Sequence, residues 1–160
     1  MTELILVAIS ALIVTAYITL YVLHCGIPTS LSDTYYHNEK KWLFPTVLAL
    51  ASGLALIPMM DATPEPYKVL SFFSIASIFF VAASPAFKDG LVRSVHCISA
   101  VVLGACVLAW LLLTAYIPIL AIVGVIIGIY NRKHFVFWLE IGLLYDLYVN
   151  LIVLLINMGA

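Results

Sequence analysis

Three sets of polar residues in this chain sit at spacings that could do chemistry. Gly142, Asp146, Asn150 and Asn157 fall within about 80° of one another at 100° per residue, so on a helix they form one polar face. A carboxylate held there could bind a cation or a proton, or polarise a ligand, because a carboxyl taken out of water without a fixed partner has a displaced proton affinity. Ser10, Tyr17, Tyr21 and His24 share a second face, and Ser74, Ser77 and Ser84 a third. The segment Cys25–Lys40 concentrates Pro28, Ser30, Ser32, Asp33, Tyr35, Tyr36, His37 and Asn38. The four histidines, His24, His37, His96 and His134, raise metal chemistry, since zinc or iron takes two or three imidazoles together with a carboxylate.

The spacing argues against a metal. His24-Cys25 and His96-Cys97 are adjacent pairs whose members point about 100° apart on a helix, and no H-x-x-x-H occurs. The expectation is therefore no metal and no cofactor. The three cysteines, Cys25, Cys97 and Cys106, are an odd number without a C-x-x-C pattern and read as free buried thiols. Glu140 lies about 120° round from Asp146 on the same helix, so the two do not form a catalytic carboxylate pair; pairing with Arg93 or Lys88 is expected instead.

The elements that must position these groups follow from composition. Of 160 residues, 65% are hydrophobic and 9% charged, whereas soluble domains carry charge on roughly a quarter of residues. Such a chain rests in lipid, where the backbone must satisfy its own hydrogen bonds and long apolar runs become helices. The fold expected is an all-α polytopic transmembrane bundle in one domain, with six spans at roughly 3–24, 41–60, 67–84, 91–113, 117–130 and 134–157. Leu4 onward reads as a retained first span, because no positive n-region or small-x-small cleavage site precedes it. Pro64-Glu65-Pro66 and Ser84-Pro85 mark turns, and there is no internal repeat. Asp146, about 12 residues into the last span, lies about 18 Å along it, near the bilayer midplane.

Charge sets the orientation. Lys40, Lys41, Lys88, Arg93, Arg132 and Lys133 fall in the connections after spans one, three and five, against Lys68 alone on the other face. Positive charge stays on the cytoplasmic side. The Cys25–Lys40 loop is thus expected in the cytoplasm and both termini, with Asp61, on the non-cytoplasmic side of a bacterial cytoplasmic (inner) membrane. No basic tail suits nucleic acid. Trp42 and Trp138 read as interfacial anchors. Gly124-x-x-x-Gly128 and Ala49-x-x-x-Gly53 permit close helix approach, within the chain or in a homo-oligomer.

Several motifs carry a family likeness. Gly26-Ile27-Pro28-Thr29-Ser30-Leu31-Ser32-Asp33-Thr34-Tyr35-Tyr36, the Ser84-Pro85-Ala86-Phe87 turn, Val95-His96 with Ala100, and Phe137-Trp138-Leu139-Glu140 resemble small six-span membrane proteins of Bacteroidetes and their phages, a likeness that implies no activity. The Pro-x-Ser-x-Ser loop and His96-x-x-x-Ala100 are also similar to Frag/DRAM-like proteins and to the CREST hydrolases. That resemblance implies a serine, an aspartate and histidines around zinc, with Ser32, Asp33 and His96 as counterparts; the final H-x-x-x-H of those enzymes is missing here.

Three functions are compatible with these residues. A polar intrabundle cleft of Asp146, Asn150, Ser74, Ser77, Tyr17 and Tyr21, closed by the Cys25–Lys40 loop, would bind or pass a small solute, ion or lipid headgroup without catalysis. A scaffold contacting other membrane proteins would need no cleft. A lipid hydrolase would use the cluster of Ser32, Asp33, His37, His96 and Glu140, with a metal held by His96, His37 and Asp33 or Glu140. The first is the leading expectation.

Overall fold

An apolar chain whose backbone cannot turn to water for partners closes its hydrogen bonds helix by helix. The computed structural model, which describes residues 1–85 and 90–159, has no strand among them. Lys88 and Asp89, the Ala86-Phe87 half of the proline turn, and Ala160 lie outside the described residues. The helices are α1 (Thr2–Cys25), α2 (Thr34–His37), α3 (Leu43–Ala62), α4 (Lys68–Ala83), α5 (Gly90–Leu113), α6 (Ile119–Tyr130) and α7 (Phe135–Gly159). Apart from the single turn α2, their ends fall close to the expected spans. Five stretches, Thr2–Cys25, Leu43–Ala62, Glu65–Ala83, Val92–Leu113 and Arg132–Met158, are long and apolar enough to cross a membrane; α6, with 12 residues, is shorter. At 1.5 Å per residue it covers about 18 Å, little more than half of a bilayer core.

Successive helices pack as neighbours, α1 on α3, α3 on α4 and α4 on α5, while α7 touches α1, α3, α5 and α6. Polar pairs fix these contacts. Ser10 Oγ donates to the Ala51 carbonyl at 2.8 Å, so the Tyr148 hydroxyl 2.8 Å away must donate to Ser10, tying α7 to α1 and α3 at one point. At the far end of α3, Ser71 Oγ lies 2.7 Å from Thr63 Oγ1, and Trp110 Nε1 donates to the same hydroxyl at 2.9 Å. Trp110 is completely buried, so an indole joins α5 to the α3–α4 turn.

Glycine sets the distance between α6 and α7. A Cβ on Gly124 would collide with the Trp138 carbonyl, one on Gly128 would lie 2.7 Å from Phe135 Cδ2, and one on Gly142 2.5 Å from the Leu120 carbonyl oxygen. The Gly124-x-x-x-Gly128 motif therefore serves packing within the chain, whereas Gly53 of the other motif meets nothing within 4 Å. Two expectations are corrected. Cys25 and Cys97 are exposed and Cys106 half-buried: in a bundle solvated by lipid, a weakly polar thiol can face outward without penalty. Trp138 packs beside the buried cluster of Val14, Ile18, Ala51 and Phe137 rather than standing free at an interface, while Trp42 is exposed.

The reversal between α5 and α6 is tight. Ala115 N–H donates to the Leu112 carbonyl and Tyr116 N–H to the Leu111 carbonyl, the paired bonds of a Schellman ending. Its left-handed position is occupied by Ala115, at φ 60°, where an L side chain is strained and glycine is not. Ala115→Gly is predicted to stabilise the protein by about 1 kcal/mol, read as a higher unfolding midpoint in nonionic detergent. An unchanged or lower midpoint would count against the strain.

Candidate functional site

The polar stripes do not meet in one cleft. Asp146, completely buried, accepts the Ala121 N–H at Oδ2 (2.7 Å) and the Leu120 N–H (3.2 Å) and Tyr116 hydroxyl (3.2 Å) at Oδ1. Leu120 and Ala121 open α6 after the buried Pro118. The first N–H groups of a helix have no intrahelical acceptor, and here a carboxylate from the facing helix replaces the usual N-cap side chain, its charge matched to the positive end of the helix dipole. One turn on, Asn150 Nδ2 donates to Thr114 Oγ1 at 2.7 Å. Asp146 and Asn150 thus hold the α5–α6 reversal against α7.

The remaining expected cleft residues are dispersed. The Tyr17 hydroxyl lies 2.6 Å from Thr34 Oγ1, whose own proton goes to the Leu31 carbonyl, so Tyr17 donates and fastens the loop to α1. Tyr21 and Ser77 are buried without lining the cavity described next. Ser74 does line it, with its hydroxyl donating to the Leu70 carbonyl of its own helix.

A cavity of about 150 Å³ lies between α1, α3, α4, α5 and α7. Its wall is aliphatic over most of its length, with Leu48, Ile75, Ile78, Val107 and Leu147 among the contributors and the small residues Ala51, Ala55, Ala100 and Gly104 making the room. A Cβ added at Gly104 would meet nothing within 4 Å. Polar groups on the wall are few. Ser52 and Ser74 donate to carbonyls in their own helices, and Tyr148 to Ser10. Ser32 and Glu140 also line the cavity, beside Leu31 of the long loop.

That loop is folded against one end of the bundle, with Ser32, Asp33 and Thr34 buried. Phe137 N–H, in the first turn of α7, donates to the Thr29 carbonyl (3.2 Å), His134 Nδ1 bonds the Pro28 carbonyl (2.8 Å), and Leu31 N–H donates to Glu140 Oε2 at 2.6 Å. The expected pairing of Glu140 with Arg93 is replaced by this backbone bond, and Arg93 is exposed. On the α5 side, His96 Nδ1 lies 2.8 Å from the Ser84 carbonyl and Nε2 3.0 Å from Ser32 Oγ. A carbonyl only accepts, so Nδ1 carries a proton, and in the neutral ring Nε2 accepts from the Ser32 hydroxyl. These bonds bring the connections after α1, α4 and α6 to the same end, where Lys40, Lys41, Arg93, Arg132 and Lys133 are all exposed.

The histidines otherwise work separately. His24 Nδ1 bonds the Leu20 carbonyl, and His37 Nε2 stands 3.5 Å from Asp33 Oδ2, which also accepts from Thr29 Oγ1. Among the described residues no three His, Cys, Asp or Glu side chains converge as metal ligands would; of the expected cluster, Ser32 bonds His96 and Glu140 bonds the neighbouring Leu31 N–H. Sequence reasoning missed Thr114 and Tyr116 as partners and Leu31 as the donor to Glu140. Pro118 just ahead of an apolar run was the available signal for a helix start needing a cap. Comparison with known proteins finds no match, whether to a family model, a curated protein or a solved structure.

Asp146→Asn tests the capping role. The amide keeps one acceptor but turns its NH₂ towards an N–H, leaving a buried donor unpaired at a cost of about 1–3 kcal/mol. The variant is predicted to unfold at lower temperature in detergent while retaining whatever binds the cavity. Loss of binding at unchanged stability would return Asp146 to the ligand site.

Proposed function

We propose that this is a non-enzymatic integral protein of the bacterial cytoplasmic membrane whose cavity binds the apolar part of a small amphipathic molecule drawn from the bilayer. In this reading the chain crosses six times, α6 with residues 114–118 completing the fifth crossing. Both termini are non-cytoplasmic, and the loop over Ser32 faces the cytoplasm, consistent with the exposed basic residues at that end. The cavity itself carries the proposal: a partly open space of about 150 Å³ walled mostly by aliphatic side chains. Apolar cavities of that magnitude stay dry and take up benzene-sized molecules. An ion or polar solute would need replacements for its water shell, and the serine hydroxyls at Ser52 and Ser74 already donate to their own helices.

Gly104→Leu would place a side chain in this space. Native mass spectrometry with 1-octanol in nonionic detergent is predicted to show a bound alcohol on the parent protein and at least about tenfold weaker retention on the variant, at equal or higher thermal stability. Equal retention by the two proteins would remove the cavity as the binding site.

A second reading, acyl transfer at Ser32, is favoured by one observation, the hydrogen bond between Ser32 Oγ and His96 Nε2 with Nδ1 oriented by the Ser84 carbonyl. A hydroxyl bonded to an oriented imidazole is the arrangement of an activated serine. It predicts a covalent adduct with a fluorophosphonate at Ser32 that is lost in His96→Gln. A folded protein that forms no adduct would leave this bond a tie between loop and helix.

A further inference from the structure

Glu140 is the one side chain with a formal charge among the described residues lining the cavity. Its Oε2 accepts the Leu31 N–H, while Oε1 has no hydrogen-bond partner among the described residues. Oε1 is also not sealed in, since the single fully enclosed side-chain atom without a partner among the described residues is Trp138 Nε1. Glu140 is half-buried and contributes to the cavity wall. Among the described residues no cation answers it: the ion pairs there are His37 with Asp33 and Lys68 with Glu65. One neutral N–H is poor compensation for a carboxylate surrounded by aliphatic walls, where the usual solution is an opposite charge with donors of its own.

Beside it stands Ser32, whose proton goes to His96. A hydroxyl oxygen has two lone pairs, so Ser32 Oγ can accept from a further donor. An unanswered carboxylate oxygen, a hydroxyl able to accept and an apolar space leading away from them describe one kind of guest. We infer that the cavity selects a single-chain amphiphile with a primary ammonium head, its N–H donors on Glu140 Oε1 and Ser32 Oγ and its hydrocarbon between Ile75, Val107 and Leu147. A divalent metal ion fits less well, because among the described residues no second carboxylate or imidazole joins Glu140 as a ligand. The inference rests on the binding function proposed above and adds the chemistry of the ligand's head.

The test compares three ligands of equal chain length, octylammonium, 1-octanol and octyl sulfate, titrated below their micelle concentrations into the full-length protein in maltoside detergent. A charge-assisted hydrogen bond predicts that octylammonium binds about tenfold more tightly than octanol, and octyl sulfate more weakly than either. Glu140→Gln should abolish the ammonium preference while octanol still binds. If octylammonium and octanol bind the parent protein equally, the inference is overturned and the binding function stands; this comparison needs no variant to fold. If none of the three binds, the binding function fails as well.

Discussion

In hydrocarbon, an unpaired N–H, carbonyl or hydroxyl finds no water to satisfy it, and each costs several kcal/mol. This constraint orders the chain. It makes the long helices obligatory, but its sharper effect is on the places where helices stop. α6 begins beside the middle of α7, where Leu120 and Ala121 would leave their N–H groups bare, and Asp146 receives both. α7 begins under the long loop, and a loop carbonyl, that of Thr29, receives the N–H of Phe137. α5 ends in a Schellman pair, and Thr114 Oγ1 then serves Asn150. The buried polar residues are thus mostly terminators and ties.

With its polar groups committed in this way, the bundle can leave its interior apolar. Alanine and glycine on α3 and α5 keep helices close enough to bond through Ser10 and Trp110 yet leave space between them. A filled core would place larger side chains at Ala51, Ala55, Ala100 and Gly104, since interiors normally pack to the density of organic crystals. Space is instead retained at four small residues on two helices. Its one charged group sits beside the loop that covers the end of the bundle.

How much of this was legible in the sequence depended on what was being read. Apolar length located six helices closely, because the lipid requirement acts on each helix alone; the fifth expected span, at 117–130, corresponds to the half-length helix Ile119–Tyr130. The inward direction of Asp146 was also legible from its face with Gly142 and Asn150. Two of its three partners were not, since the N–H groups of Leu120 and Ala121 belong to the backbone of another helix and carry no side-chain signature. The stripes of Ser10, Tyr17 and Ser74 looked like one cleft because periodicity gives a face without saying which neighbour it meets. The cavity was invisible for a related reason: it is made by small residues on separate helices, whose alignment only tertiary packing decides. Exposed Cys25 and Cys97 show that burial rules calibrated in water mislead for a chain whose solvent is lipid.

The central claim is that the interior space is apolar along the stretch between Ile75, Val107 and Leu147. Crystals of the protein pressurised with xenon test it most directly, because xenon enters dry apolar cavities and is excluded from hydrated ones. The account predicts xenon density between Ile75, Val107 and Leu147. A chain of ordered waters running from Ser32 to Ser74 in its place, with no xenon bound, would contradict it.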